Sequence, residues 1–425
     1  YHLPVIREFA AAWPDVDLVH YGVAMTPGWH LVMAMVHRAT GSESAMRWAN
    51  LAIGLAVVVV LFLMARRTAP GWLCAALVMP VLCSKILIGA STSLTTDNAC
   101  WAVALGALWC AVLVPARPRT MLLGGACGMA AVLTRQVCVW VAAPFGLVMV
   151  AASPLAALVP RLIRPEVRGN RWAVVLSAAA ACAGIFGVVL GFVAMWGGTV
   201  PDHPEMRAHF ERGYAGATFA FALAFVAVYG VWFVPIVWAQ VRRLRFTDAW
   251  AWASVILGIA CAAVPETGWA ARHRSAGIVW RMAEVWSKLG GGRMEGTEVG
   301  APMVGSRLDP IDGRSGFLMV AAPVGALVVL VFVRGAASAG RGVQARILAL
   351  SLLGLVITQG FSVMVGQRYY EPFLLSGLVV MAALAVRSDQ RARWWWAAGP
   401  VVLAAAQAVL TVAGVFGEAP GATSG

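Results

Sequence analysis

The stretch Trp48–Arg67, WANLAIGLAVVVVLFLMARR, decides the fold. From Leu51 to Ala65 it carries no charge, and it stops on two adjacent arginines. As a helix, such a run crosses a hydrocarbon core of about 30 Å. Short loops rich in Arg stay in the cytoplasm, so Arg66 and Arg67 fix this end inside. The same unit repeats along the chain. Apolar runs lie near 48–66, 71–90, 97–115, 120–134, 137–158, 172–195, 214–240, 247–264, 316–333, 346–365, 372–386 and 394–416. They predict an all-α polytopic membrane protein with about 12 spans. Every second loop collects arginine: Arg66 and Arg67; Arg117 and Arg119; Arg161, Arg164, Arg168 and Arg171; Arg242, Arg243 and Arg245; Arg334, Arg341 and Arg346; Arg387, Arg391 and Arg393. These inner loops hold 17 of the 32 basic residues but only three of the 19 acids, Glu166, Asp248 and Asp389. The alternation needs no run skipped or doubled.

Composition agrees. A hydrophobic content of 61%, a mean hydropathy of +0.79 and only 12% charged residues exclude a soluble globule. The net charge of +13 is mostly the inner arginines, whose partners are anionic membrane lipids. No basic domain exists, so nucleic acid is excluded as a partner. All eight cysteines lie in apolar runs, without the spacing of a metal knuckle or a disulfide framework, and read as small core residues. The domains follow: an outer, periplasmic catalytic segment 1–47, a transmembrane core 48–264, a large outer loop 265–315, C-terminal transmembrane helices 316–416 and a tail 417–425. Segment 1–47 is too mixed to span, yet it must lie outside. A transmembrane helix N-terminal to Tyr1 is expected to carry it there. The large loop has seven basic and six acidic residues, and long loops translocate whatever their charge. Gly290-Gly291-Gly292 reads as linker, because no strand precedes it and no GK[ST] follows. Trp394-Trp395-Trp396 abut Arg393 as an interfacial belt.

The chemistry gathers on the outer face. All seven histidines (His2, His20, His30, His37, His203, His209, His273) fall there. So do Glu8, Asp15, Asp17, Asp97, Asp202, Glu205, Glu211 and Glu371. An enzyme acting on a lipid-linked substrate needs its acid–base groups at that level. Four clusters stand out. The first is Tyr1-His2-Leu3-Pro4 with Arg7 and Glu8, then Met25-Thr26-Pro27-Gly28-Trp29; the second is Thr95-Thr96-Asp97-Asn98. The third, Arg135-Gln136, interrupts an apolar stretch too long for one helix, so Arg135 marks an outer turn. The fourth is Gln367-Arg368-Tyr369-Tyr370-Glu371. Each has a plainer reading. Asp97 would serve as a helix cap, Arg135 as a snorkelling arginine, Arg368 as the ion-pair partner of Glu371, and Trp29, Tyr369 and Tyr370 as interfacial anchors. The histidines lack HExxH or other ligand spacing, so no metal or other cofactor is expected.

In this order the clusters resemble the C-type (GT-C) integral-membrane glycosyltransferases, nearest to the dolichyl-phosphate-glucose α-1,2-glucosyltransferase family and its bacterial relatives. Tyr1-His2 are similar to the aromatic and histidine that follow that family's acidic pair. Thr26-Pro27-Gly28-Trp29 resemble its Thr-Pro turn. Thr96-Asp97 resemble its later outer helix end, Arg135-Gln136 through Trp140 its Arg-Gln motif, and Arg368-Tyr369-Tyr370 its final motif. The likeness runs from residue 1 to about 375 through short motifs. Two departures stand: the acidic pair expected ahead of Tyr1 is not in the sequence, and loop 265–315 aligns only over Arg272–Trp280. The resemblance implies a sugar moved from a polyprenyl-phosphate donor to a glycan, lipid or protein acceptor outside a bacterial inner membrane. It implies catalytic Asp97 and His2. It implies substrate contacts from Arg135, Gln136, Arg368, Tyr369, Tyr370, Thr26 and Trp29, with the general base in the acidic pair. Two other classes compete. A transporter or lipid flippase would place broken helices and polar groups near the midplane. A surface-polysaccharide ligase or polymerase would concentrate its arginines and histidine in one outer loop, such as 265–315 with His273.

Overall fold

Why the apolar runs break where they do is answered by local chemistry. In the computed structural model, which describes residues 2–204, 214–267, 277–290, 293–294, 303–304, 308, 311, 313–361, 367–387 and 392–416, nearly all regular structure is helical. Segment 1–47 forms α1 (His2–Ala12) and α2 (Gly28–Thr40). Then come α3 (Glu43–Arg66), α4 (Gly71–Leu82), α5 (Lys85–Thr92) and α6 (Asp97–Leu108, prolonged by a π-turn to Leu113). Next are α7 (Pro118–Thr134), a 3₁₀ turn Gln136–Val141 leading into α8 (Ala142–Ala152), and α9 (Arg171–Trp196). The α10 span Ala217–Val241 tightens to 3₁₀ over Val231–Val237, where Pro235 has no N–H to offer. The chain closes with α11 (Ala249–Ala263), α12 (Gly277–Leu289), α13 (Gly316–Ser338), α14 (Gly342–Gly360), α15 (Gln367–Ala385) and α16 (Ala398–Phe416). Residue pairs Arg293↔Val304 and Met294↔Met303 form a small antiparallel ladder in the large loop.

Among the described residues, six helices are long and apolar enough to cross a membrane: α3, α9, α10, α13, α14 and Trp394–Ala413. The 71–90 run, expected to be one span, is two helices at 66°. Pro80 weakens the last turn of α4, and the extended Ser84 (φ −63°, ψ 126°) ends the helix. The Ser84 hydroxyl then accepts from Ile86 N and Leu87 N at 3.1 and 3.4 Å, capping α5. The runs 97–115, 137–158 and 247–264 are shorter helices, over 97–113, 136–152 and 249–263. Outward faces are apolar, as lipid requires: Leu176 and Leu190 of α9 are 67% and 63% exposed. Buried faces use small residues to bring backbones together. A Cβ on Gly325 of α13 would stand 1.8 Å from the Leu223 carbonyl oxygen of α10.

Segment 1–47 is more ordered than its mixed sequence suggested. Ser42 caps α3 through Ala45 N, so that helix begins at Glu43 rather than near 48. Arg7 of α1 pairs with Glu43. Val5, Ile6 and Phe9 pack with Tyr21, Trp29 and Trp196 in an apolar cluster separate from the main core. On the opposite end, Asp248 caps α11 and accepts both guanidinium nitrogens of Arg334. One expectation about cysteine is corrected: Cys100 of α6 and Cys138 are joined as a disulfide, and the other six are free. Sequence spacing could not show this, because the pair meets only where α6 packs against α7 and the 3₁₀ turn that follows it.

Candidate functional site

Three chain segments meet at Asp97. It is the first residue of α6, and it is 1% exposed. Thr96 holds the cap position without a side-chain cap bond, so the Asp97 carboxylate is not held by its own helix end. It takes two arginines instead. Arg135 follows α7 in an extended conformation (φ −152°, ψ 116°) that carries its side chain off the helix axis and onto Asp97 Oδ1. Arg368, in the first turn of α15, donates through Nε at 3.0 Å and Nη2 at 2.9 Å to Oδ2. Both guanidinium groups also lie near the Tyr369 ring, at 5.2 and 5.9 Å from its centroid. The Arg135 side chain is 9% exposed and that of Arg368 34%, so Arg368 forms the open edge. Two cations and one anion leave this triad a net single positive charge.

Segment 1–47 lies beside the triad. His2 of α1 is hydrogen-bonded to His30 of α2, Nδ1 to Nε2 at 2.9 Å, and its ring meets Trp29 edge-on at 5.8 Å. Burial, opposed by Asp97 and reinforced by both arginines, pushes the His2 pKa down to about 4. Burial, with His2 next to it, pushes His30 down to about 3. Both are neutral imidazoles at neutral pH. Gly28 lets the start of α2 touch the end of α7: a Cβ there would lie 2.6 Å from the Leu133 carbonyl oxygen.

Other expected contacts are occupied by protein. Thr26 donates to Val132 O at 2.5 Å. Gln136 accepts from Thr26 N at 3.2 Å and donates to Ala24 O and Thr199 O, stitching the outer segment to the end of α7. Trp29 is 2% exposed, and Tyr370 is fully buried against Phe221, ring centroids 5.4 Å apart. Of the candidate substrate contacts, Arg368, Tyr369 and Gln136 are partly exposed, and the Gln136 amide is already bonded to Thr26, Ala24 and Thr199. Tyr1, His209 and His273 lie outside the described residues.

Glu371 does not pair with Arg368. One turn deeper and 3% exposed, it accepts from Ser84 Oγ and from Gln367 Nε2. Gln367 also donates to the Tyr229 hydroxyl at 2.7 Å and accepts from Ile278 N at 2.5 Å. Sequence reading missed this network. Its signal was Ser84 beside Pro80 in an apolar run, and Glu371 three residues after Arg368. Among the described residues, no three His, Cys, Asp or Glu side chains group as metal ligands.

No known family profile matches the chain, and no curated protein aligns significantly with it. Two solved structures are similar over 90% of this chain and 72% of theirs. They are ArnT from Cupriavidus metallidurans in the apo state, 14% identical with a TM-score of 0.35, and the same protein bound to undecaprenyl phosphate, 15% identical with a TM-score of 0.33. Similarity of that degree does not define a shared fold.

Proposed function

We propose that this protein is a membrane glycosyltransferase of the C-type, moving a sugar from a polyprenyl-phosphate donor to a glycan, lipid or protein acceptor at the outer face of a bacterial inner membrane. The supporting observation is the junction at Asp97: residues of the resembling motifs, far apart in sequence, meet at one end of the bundle. The donor phosphate sits at Arg368, with Arg135 behind it. The planar fork of arginine holds two phosphate oxygens as charge develops on the leaving group. Phosphate leaves well, so no acid is needed at that oxygen. Asp97 positions the two arginines. Both its oxygens are engaged, so it is poorly placed to take a proton from an acceptor hydroxyl. Neutral His2 feels the charges of the triad and contributes a proton-accepting nitrogen. Tyr369 offers its face to the sugar or prenyl group. Thr26, Gln136, Trp29 and Tyr370 support the frame.

The test is turnover of a polyprenyl-phosphate sugar by the protein in nanodiscs. Arg368→Lys should slow transfer about 10–100-fold, the loss of one charge-assisted hydrogen bond, with Arg135→Lys next in severity. Wild-type turnover by both variants would remove the phosphate role. One observation favours a transporter instead: the broken span at Ser84 faces buried Glu371, a pairing transporters use at their sites. That reading predicts that Glu371→Gln abolishes substrate flux across vesicles, while Arg368→Lys leaves it intact.

A further inference from the structure

We infer that Asp97 sets the charge of the anion this site accepts. It makes the arginine pair a clamp for a singly charged phosphodiester and an unfavourable host for a doubly charged phosphate monoester. The inference rests on the proposed function and deepens it by assigning specificity to Asp97.

The argument is one of charge balance in a dry place. Arg135 and Arg368 bring two positive charges, and Asp97 removes one. Among the described residues, the other ionisable groups near the triad leave that sum unchanged. His2 of α1 and His30 of α2 are neutral, and the Glu371 carboxyl is taken up by Ser84 and Gln367 rather than by Arg368. Withdrawing an ion from water costs in proportion to the square of its charge, while its attraction to a fixed charge grows only in proportion. A sugar linked to polyprenyl through one phosphate carries a single negative charge, which the clamp neutralises. Once the sugar has been transferred, the leaving polyprenyl phosphate is a monoester. Its second ionisation lies near pH 6, so it carries close to two charges at neutral pH. Its desolvation cost is up to about four times greater for only twice the attraction, and Asp97 repels it. The same balance disfavours donors linked through a diphosphate. Asp97 thus favours donor over spent carrier.

The test needs no variant in its first arm. Binding of polyprenyl phosphate and of its methyl phosphodiester to the wild-type protein in nanodiscs is measured at pH 8 and pH 5. Across that range His2 and His30 stay largely neutral, so the ligand is the group that titrates. The monoester should bind about tenfold tighter at pH 5, where it is a monoanion, and the methyl diester should bind equally at both. In the second arm, Asp97→Asn raises the clamp to two positive charges. Monoester affinity relative to diester at pH 8 should then rise about tenfold. Equal monoester binding at both pH values, or an unchanged ratio in a folded Asp97→Asn protein, overturns the assignment to Asp97. If the wild type binds neither lipid, the glycosyltransferase reading itself falls.

Discussion

Gly28 is where one methyl group should act on a site it does not touch. A Cβ at this position would stand 2.6 Å from the Leu133 carbonyl oxygen and 3.0 Å from that residue's Cβ. The obstacle is backbone, so no side chain can swing aside. To restore an ordinary contact of 3.4 Å, α2 and the end of α7 must part by about 0.8 Å. Arg135 lies two residues beyond Leu133, and Thr26 and Gln136 bind the two segments together. The displacement therefore reaches the arginine that holds Asp97 Oδ1. Overpacking of this kind destabilises by about 1–3 kcal/mol, and a misplacement near 1 Å in a catalytic array lowers rate about 10²-fold. Gly28→Ala should melt a few degrees lower yet fold, and should transfer sugar at about one-hundredth of the wild-type rate. Gly22→Ala is the matched control, since a Cβ there meets nothing within 4 Å. Thermal unfolding and donor turnover, run on both variants, decide the matter. A folded Gly28→Ala protein with wild-type turnover would show that the α2–α7 contact does not position Arg135.

Three further outcomes are expected. Glu371→Ala orphans the Ser84 hydroxyl and a Gln367 N–H in the interior, at about 1–3 kcal/mol for each group, whereas Glu371→Gln keeps most of the bonding; melting in detergent should rank Ala well below Gln. His2 at about 4 and His30 at about 3 lie below the ordinary 6.5, so the unfolded chain takes up these protons first as pH falls. Stability should thus be complete above about pH 6.5 and decline towards pH 4, by up to about 1.4 kcal/mol per pH unit for each proton; an unchanged pH profile in His30→Asn would contradict this. Finally, single cysteines at Asp15 and Arg243 should react with an impermeant thiol reagent from opposite sides of the membrane, and labelling of both in intact cells would refute the topology.

The apolar runs and the arginine alternation made the helical membrane architecture legible, because lipid leaves the backbone few alternatives. Arg135 was legible as a turn because no helix spans an apolar stretch that long. The break at Ser84 was harder: Pro80 and Ser84 lie inside a run whose hydropathy alone reads as one continuous span. The choice of Asp97 over Glu371 as the partner of Arg368 was not legible at all. Glu371 is three residues away in sequence, and the nearer partner is the easier guess. Only the packing of α15 beside α4, which brings Ser84 to Glu371, turns that carboxylate elsewhere. The order within segment 1–47 was hidden for a similar reason. Its apolar residues are too few for a span but enough for amphipathic helices once Trp196 and the end of α7 supply a surface.

The 66° break has a consequence for the lipid around it. Standing upright, the 12 residues of α4 rise about 18 Å, and the oblique α5 adds only about 5 Å. Their combined height falls about 7 Å short of a typical hydrocarbon core near 30 Å. A bilayer meets such a mismatch by thinning. Where this pair alone crosses the bilayer, the headgroups beside α4 and α5 would be drawn towards the middle of the membrane. Because α15 packs against both helices, the dip lies next to Arg368. A lipid phosphate arriving there would have less distance to travel to reach the guanidinium.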